Sequence, residues 1–278
     1  KDSLLKELYK ACKAFFRRNI FEIKKSDRYA RNLKISVQKI LSKKVNKKDF
    51  DNIWSFLNTD YLRRHNDDEV AWHIELIAKH SPNNAVSIRE SEFKGCTELS
   101  IYQNKRKNIF TFIANIIDNL NINIVDARII TLNDSQAIDT YLLLDKNGSF
   151  IKDKHTLKFL EEKIEDVVSK AEYKIKKITK KPTENISSFK KFININISKK
   201  MADLLVEIST LDHPGLLSKI CESFDSCDLM VKDAKISTLG EEANDIFVVF
   251  PFKTNKEFSS KSIDELKNKI KLKISELY

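Results

Sequence analysis

The residues best suited to chemistry lie together at Leu211-Asp212-His213-Pro214-Gly215-Leu216-Leu217. A strand-like run precedes them and a helical pattern follows. Pro214 presets the start of a helix, and Gly215 lets another backbone or a ligand come close. A helix N-terminus offers unpaired N–H groups and partial positive charge, which suits a carboxylate. Asp212 supplies a negative group beside it, able to hold an ammonium. An α-amino acid carries both charges. The bland reading is that Asp212 caps the helix, worth about 1 kcal/mol. Residue types alone leave both readings open.

Other chemistry-bearing residues are scattered. Cys12, Cys96, Cys221 and Cys227 form no CxxC and have no histidine cluster beside them, so structural zinc is not expected. Buried or incidental thiols in a reducing cytoplasm fit this usage. His65 is followed by Asn66 rather than Asp. His73, beside Trp72, reads as a packing and surface residue, and His80 and His155 as solvent-facing. The formal net charge is +10. Its lysines are interspersed with Asp and Glu, so a general composition bias explains it better than a nucleic-acid or membrane surface. No apolar run reaches the roughly 18–20 residues of a membrane span, and no signal peptide is evident. The chain opens on Lys1 rather than Met, which reads as a piece of something longer.

The elements that must position the loop follow from periodicity. Residues 1–94 read as a helical segment. Leu4, Leu5, Leu8, Ala11 and Phe15 share a helical face, as do Leu33, Val37, Ile40 and Leu41; Phe50, Ile53, Trp54 and Leu57 follow. Val70, Ile74 and Ile77 make a last helix, with Asp67 and Asp68 as its start signals, and the block ends near Ser81-Pro82. Thereafter strands alternate with helices. Glu98 to Tyr102 reads as a strand and Ile109 to Leu120 as a helix. Ile122 to Leu132 and Ile138 to Leu144 make a hairpin across Asn133–Gln136, and a helix holds Leu157 to Val168. A Lys-rich stretch at 172–189, containing Pro182, reads as a linker. Beyond it come strands at Phe192 to Ile197 and Leu204 to Thr210, the loop and its helix, strands at Met230 to Leu239 and Asp245 to Phe252, and a closing helix.

The two halves are one unit written twice. An offset of 107 residues carries Asp126-Ala127-Arg128-Ile129 onto Asp233-Ala234-Lys235-Ile236, and Phe110, Ile113 and Ile117 onto Leu217, Ile220 and Phe224. Past the hairpin turn the offset becomes 106, Asp139 falling on Asp245. Fold class is therefore α+β: an all-helical segment followed by two tandem ferredoxin-like βαββαβ units, at 95–171 and 190–278. Such units pair edge to edge to satisfy open strand edges. RNA-recognition modules share the topology. The strands at Ile138 and Asp245 lack the Gly and basic start that base stacking uses, so RNA binding is not expected.

Asp212-His-Pro-Gly-Leu-Leu217, Asp233-Ala-Lys-Ile-Ser-Thr-Leu-Gly240 and Asp245-Ile-Phe247 resemble an ACT domain. With Asp126-Ala-Arg-Ile129 and Ala137-Ile-Asp-Thr-Tyr141 in the first unit, the pair resembles the C-terminal part of the bifunctional uridylyltransferase/uridylyl-removing family. Upstream, Leu4-Leu-Lys-Glu-Leu-Tyr9, Ile53-Trp54, Tyr61-Leu-Arg-Arg-His65 and Ala71-Trp72-His73 look like the helical stretch before that pair, the end of the phosphohydrolase-type region.

The resemblance implies a glutamine-sensing regulatory region. The parent enzyme would add UMP to, and remove it from, the PII nitrogen-regulatory protein in the cytoplasm. Asp212, His213, Pro214, Gly215 and Leu216 would contact the amino acid. Related ACT domains often set this loop against the second strand of a neighbouring unit, which adds Asp126, Ala127, Arg128, Asp233 and Lys235. The chain has no nucleotidyltransferase Gly-Ser signature with paired Asp, and no His-Asp dyad. It is therefore expected to be inactive alone and to hold no cofactor, Mg belonging with the absent catalytic domains. The first unit also departs from the pattern, having Asn104-Lys-Arg-Lys-Asn108 in place of Asp-x-Pro-Gly. Its site is either degenerate or built from other groups. Two further readings stay open: a ligand-free module that docks PII or the catalytic domains, and the ACT tail of another amino-acid-regulated enzyme.

Overall fold

The structure is a computed structural model that describes residues 26–92, 94–104, 107–132, 136–170, 192–200, 202–239, 241–252 and 258–277. The chain divides into two compact units, Lys1–Ser81 and Pro82–Tyr278.

The first unit is helical: α1 (Ser26–Leu41), α2 (Lys47–Phe56), α3 (Thr59–Arg64) and α4 (Asp67–His80). The face expected at Leu4–Phe15 lies outside the described residues. Leu33, Val37 and Leu41 bury one side of α1, whereas Ile40 is 43% exposed and falls off that side. Helices α2, α3 and α4 each begin after an asparagine, Asn46, Asn58 and Asn66, whose side chain accepts a backbone N–H of the first turn. Asp67 and Asp68 follow the Asn66 cap in the first turn, where the helix dipole favours negative charge.

Among the described residues the second unit carries a nine-stranded, wholly antiparallel sheet. Its elements are β1 (Ala85–Ser91), β2 (Cys96–Asn104), α5 (Ile109–Asn119), β3 (Asn123–Thr131), β4 (Gln136–Leu144), α6 (Lys154–Ser169), β5 (Ile193–Lys200), β6 (Asp203–Leu211), α7 (Leu216–Ser226), β7 (Leu229–Lys235), β8 (Thr238–Leu239), β9 (Glu242–Pro251) and α8 (Ser260–Ser275). The strand order is β1-β2-β4-β3-β7-β9-β6-β5, with β8 beside β9. The linker placed at 172–189 and the turn at Asn133–Ser135 lie outside the described residues.

Two expectations are corrected here. Residues 85–91, assigned to the helical segment, form β1. Each module is accordingly ββαββα and not βαββαβ: the strand flanking the central β2 or β6 comes first in the chain. The physical reason is local closure. Ser91 pairs with Cys96, and Lys200 with Asp203, so a tight hairpin fills the position that a returning fourth strand would otherwise have to reach.

The repeat extends to several backbone irregularities as well as the core. Phe110, Ile113 and Ile117 are buried like Leu217, Ile220 and Phe224. A register shift between Ile124 and Asp126 recurs between Val231 and Asp233. Left-handed residues recur at the same offset: Asn108 (φ 65°) with Gly215 (φ 87°), and Asn121 with Asp228 (both φ 59°). Asn, Asp and Gly are the types that tolerate that conformation.

The modules join edge to edge through β3 and β7, with Asp126 opposite Lys235, Ala127 opposite Ala234 and Arg128 opposite Asp233. Ala127 and Ala234 are each other's repeat equivalents, so a local two-fold axis passes between them. Both belong to one apolar core that draws on α5, α6, α7 and α8 together.

Candidate functional site

The loop from β6 to α7 is held by backbone. Asp212 N–H donates to Glu241 O at 2.9 Å, and Leu216 N–H to His213 O at 2.9 Å. His213 Nδ1 lies 3.0 Å from Pro214 O. Helix α7 begins at Leu216, and its N-cap is Gly215, left-handed and without a side-chain cap. Asp212 therefore does not cap the helix, and Pro214 precedes the cap instead of opening the first turn. The Asp212 carboxylate bonds the Thr238 side chain, and burial pushes its pKa up.

Beneath the loop lies a carboxylate that was not singled out. Asp245, on β9, is 3% exposed and accepts Ser237 N–H at 3.3 Å. Burial raises its pKa to about 7, with the charges of Asp212 and Asp118 adding to the effect. Its inward direction was legible, since it shares parity with the core residues Phe247 and Val249. Asp212 raises the cost of ionising Asp245 and stands three residues before the uncapped N-cap of α7, so an ammonium would relieve the acids and a carboxylate the helix start.

The first module repeats the backbone with different chemistry. Asn108 occupies the N-cap of α5 in the left-handed conformation, again without a side-chain cap. Asp139, the equivalent of Asp245, is fully buried, bonded by the Gln103 amide and raised by burial to about 7. By contrast α2, α3, α4, α6 and α8 all begin with a side-chain cap, from Asn46, Asn58, Asn66, Asp153 and Ser259.

The seam residues are brought to one another. With Ala127 and Ala234 in the core, strand alternation turns Asp126, Arg128, Asp233 and Lys235 to the opposite face of the sheet. There Arg128 Nε lies 3.2 Å from Asp126 Oδ2. The register sets opposite charges across the seam, which favours this pairing over a slipped one. On the helix side the modules touch through α5 and α7. Thr111 Oγ1 donates to Asp225 at 2.5 Å, Asn115 Nδ2 approaches Ser218 Oγ at 3.5 Å, and Lys107 pairs with Asp228. Burial raises the pKa of Asp225 to about 6. Ser218 stands in the first turn of α7, so the loop and the module contact share one helix end.

In the helical unit His73 is fully buried, which fits the packing role expected of it and corrects only the surface contact, and it is not isolated. Tyr61 Oη lies 2.7 Å from His73 Nδ1, and the His65 and His73 rings meet edge to face at 5.1 Å. His80 and His155 are exposed. Among the described residues no group of His, Cys, Asp or Glu could hold a metal ion. No described helix is long and apolar enough to cross a membrane.

No family model matches the chain. The chain is 26% identical to the bifunctional uridylyltransferase/uridylyl-removing enzyme of Acinetobacter baumannii (strain AYE), over 99% of its own length and 32% of that protein's. It is 31% identical to the enzyme of the same name from Ectopseudomonas mendocina (strain ymp), over 89% of this chain and 28% of the relative. The enzyme of Pseudomonas putida (strain W619) matches at 30% over the same shares. The chain thus spans about a third of the length of these curated relatives. Among solved structures, aspartate kinase from Synechocystis aligns with 66% of this chain and 27% of its own, at 12% identity and a TM-score of 0.36.

Proposed function

We propose, from the match of nearly the whole chain to the C-terminal region of the bifunctional uridylyltransferase/uridylyl-removing enzymes, that this is the amino-acid-sensing regulatory region of such an enzyme. Glutamine is the ligand in this reading, and uridylylation and deuridylylation of PII are the activities it governs. The observation that carries the reading is the uncapped start of α7 beside Asp212 and Asp245. The α-carboxylate would take the first-turn N–H groups and the helix dipole; the α-ammonium would take the two carboxylates. This recognises the backbone of an amino acid, and the side chain is chosen by the surroundings.

Transmission follows from position. The ligand would sit on the helix whose first turn also meets α5 of the other module. A change there alters how α5 and α7 pack, and so the placement of the modules on their shared sheet. A coupling of about 1–3 kcal/mol is ordinary for such a device. A thermal-shift screen of the twenty amino acids tests the reading. Glutamine is expected to raise Tm most, and calorimetry to give one class of sites dependent on Asp212 and Gly215. Absence of any shift with glutamine, together with salt-sensitive PII binding, would replace it with a ligand-free docking module.

A further inference from the structure

Strand β5 ends the sheet, pairing among the described residues with β6 alone. An edge strand presents a row of unpaired N–H and C=O groups, and proteins blunt it with lysines, which deter like edges, or with a proline, a bulge or extreme shortness. Of these only the lysines are present, at its C-terminal end. Ile193–Lys200 is eight residues long, contains no proline and runs in continuous register with β6.

A cleft of about 530 Å³ lies along this strand, between β5, β6 and β9 and the Lys267 and Lys271 side chains of α8. Its charges are unbalanced. The two acids of the lining are engaged: Glu207 accepts the Asn196 amide at 2.6 Å, and Asp245 accepts Ser237 N–H. Lys267 and Lys271 have no ion pair among the described residues, whereas Lys273 on the same helix, and Lys219 facing it, are both paired with Glu222 and Glu276. Lys199 and Lys200, exposed at the end of β5, add to the surplus. In sequence Lys190 and Lys191 flank its other end. Two copies of β5 would each bring these lysines to the shared edge, so like charge opposes self-association.

We infer that the open edge of β5, with Lys267 and Lys271 beside it, takes an extended acidic segment of a partner polypeptide as an added strand. Main-chain hydrogen bonds would supply register, and alternate Glu or Asp side chains would reach the lysines. The cleft shares Asp245 with the proposed amino-acid site but none of the Asp212–Gly215 loop, and its occupancy needs no amino acid.

The test uses the full chain and a fluorescein-labelled decapeptide alternating Glu with Val and Thr, read by anisotropy, with amide exchange followed over residues 193–200. Binding is expected to slow exchange on β5. It should weaken at least about tenfold in Lys267→Glu/Lys271→Glu, and as strongly when alternate peptide amides are N-methylated. Should the charge reversal disturb folding, Lys267→Gln/Lys271→Gln replaces it with a smaller loss expected. Equal binding of the N-methylated peptide would overturn strand addition, as would unchanged affinity in the lysine variants. Equal β5 protection by an oligothymidylate of matched charge would show a general polyanion surface and overturn it too. Concentration-dependent dimers that protect β5 without peptide would assign the edge to a second copy.

Discussion

The loops that open α5 and α7 have one backbone and two chemistries. Both helices start from a left-handed residue without a side-chain cap, above a buried aspartate with a pKa near 7. In the second module that residue is Gly215 and Asp212 stands close by; in the first it is Asn108, preceded by lysines and an arginine. Geometry therefore survives where the surrounding charges differ. The left-handed helix start belongs to the shared scaffold, and in the proposed function the charges around it would distinguish the two loops.

The largest effect is expected from Gly215→Val. A β-branched side chain at φ 87° is strained by roughly 1–2 kcal/mol or more and fills the approach to the helix start. Calorimetry should show glutamine binding lost while circular dichroism retains the fold. Gly215→Asn, which copies the first module, should keep stability within about 1 kcal/mol. If it also keeps full glutamine affinity, the glycine is not what separates the two loops.

Asp212→Ala should weaken glutamine about tenfold, consistent with loss of one charge-assisted contact. Wild-type affinity in that variant would move the ammonium site elsewhere. Thr111→Val leaves the half-buried Asp225 carboxylate without its hydroxyl donor and should lower stability in urea by about 1–3 kcal/mol. If the α5–α7 contact carries the signal, this variant also uncouples glutamine from the parent enzyme's activities.

A subtler effect concerns protons. The folded pKa values of Asp139 and Asp245 are raised to about 7, above their unfolded values. The native state thus holds more protons than the unfolded chain between about pH 4 and 7, and stability falls as pH rises through that window. Asp139→Asn and Asp245→Asn should each flatten the fall in a urea series. An ammonium beside Asp245 would lower its pKa, so glutamine binding near pH 7 should release protons, seen as a dependence of calorimetric heat on the buffer. Asp245→Asn should abolish that release and Asp139→Asn should not. The smallest change is expected for Asn108→Gly, a few tenths of a kcal/mol at most, since both types accept the conformation.

Periodicity and repetition carried most of the fold. The inward sets at Phe110/Leu217 and Ile113/Ile220 could be read from spacing because burial on a helix recurs every three to four residues. Strand identity was likewise legible around Asp245, whose alternation with Phe247 and Val249 also marked it as buried. Strand β1 was harder: in Ala85–Ser91 only Val86 and Ile88 alternate as apolar residues before Arg89, Glu90 and Ser91, and its pairing with β2 makes it a strand. The Asp212 loop was visible through its residue types, but the role of each was not. Whether an aspartate caps a helix or turns to Thr238 depends on a neighbour 26 residues away in sequence.

By itself, the sequence determined that two copies of one module stand side by side, that residues able to adopt left-handed turns recur at the same offset, and that only the second copy carries Asp-His-Pro-Gly. These are local properties, set by side-chain periodicity and by the steric limits of single residues. The tertiary structure alone decided the permuted ββαββα order, the seam of opposite charges on β3 and β7, and the burial of Asp245 within reach of the Asp212 charge. Those depend on which strand edges meet and how far each acid is removed from water, and long-range packing sets both.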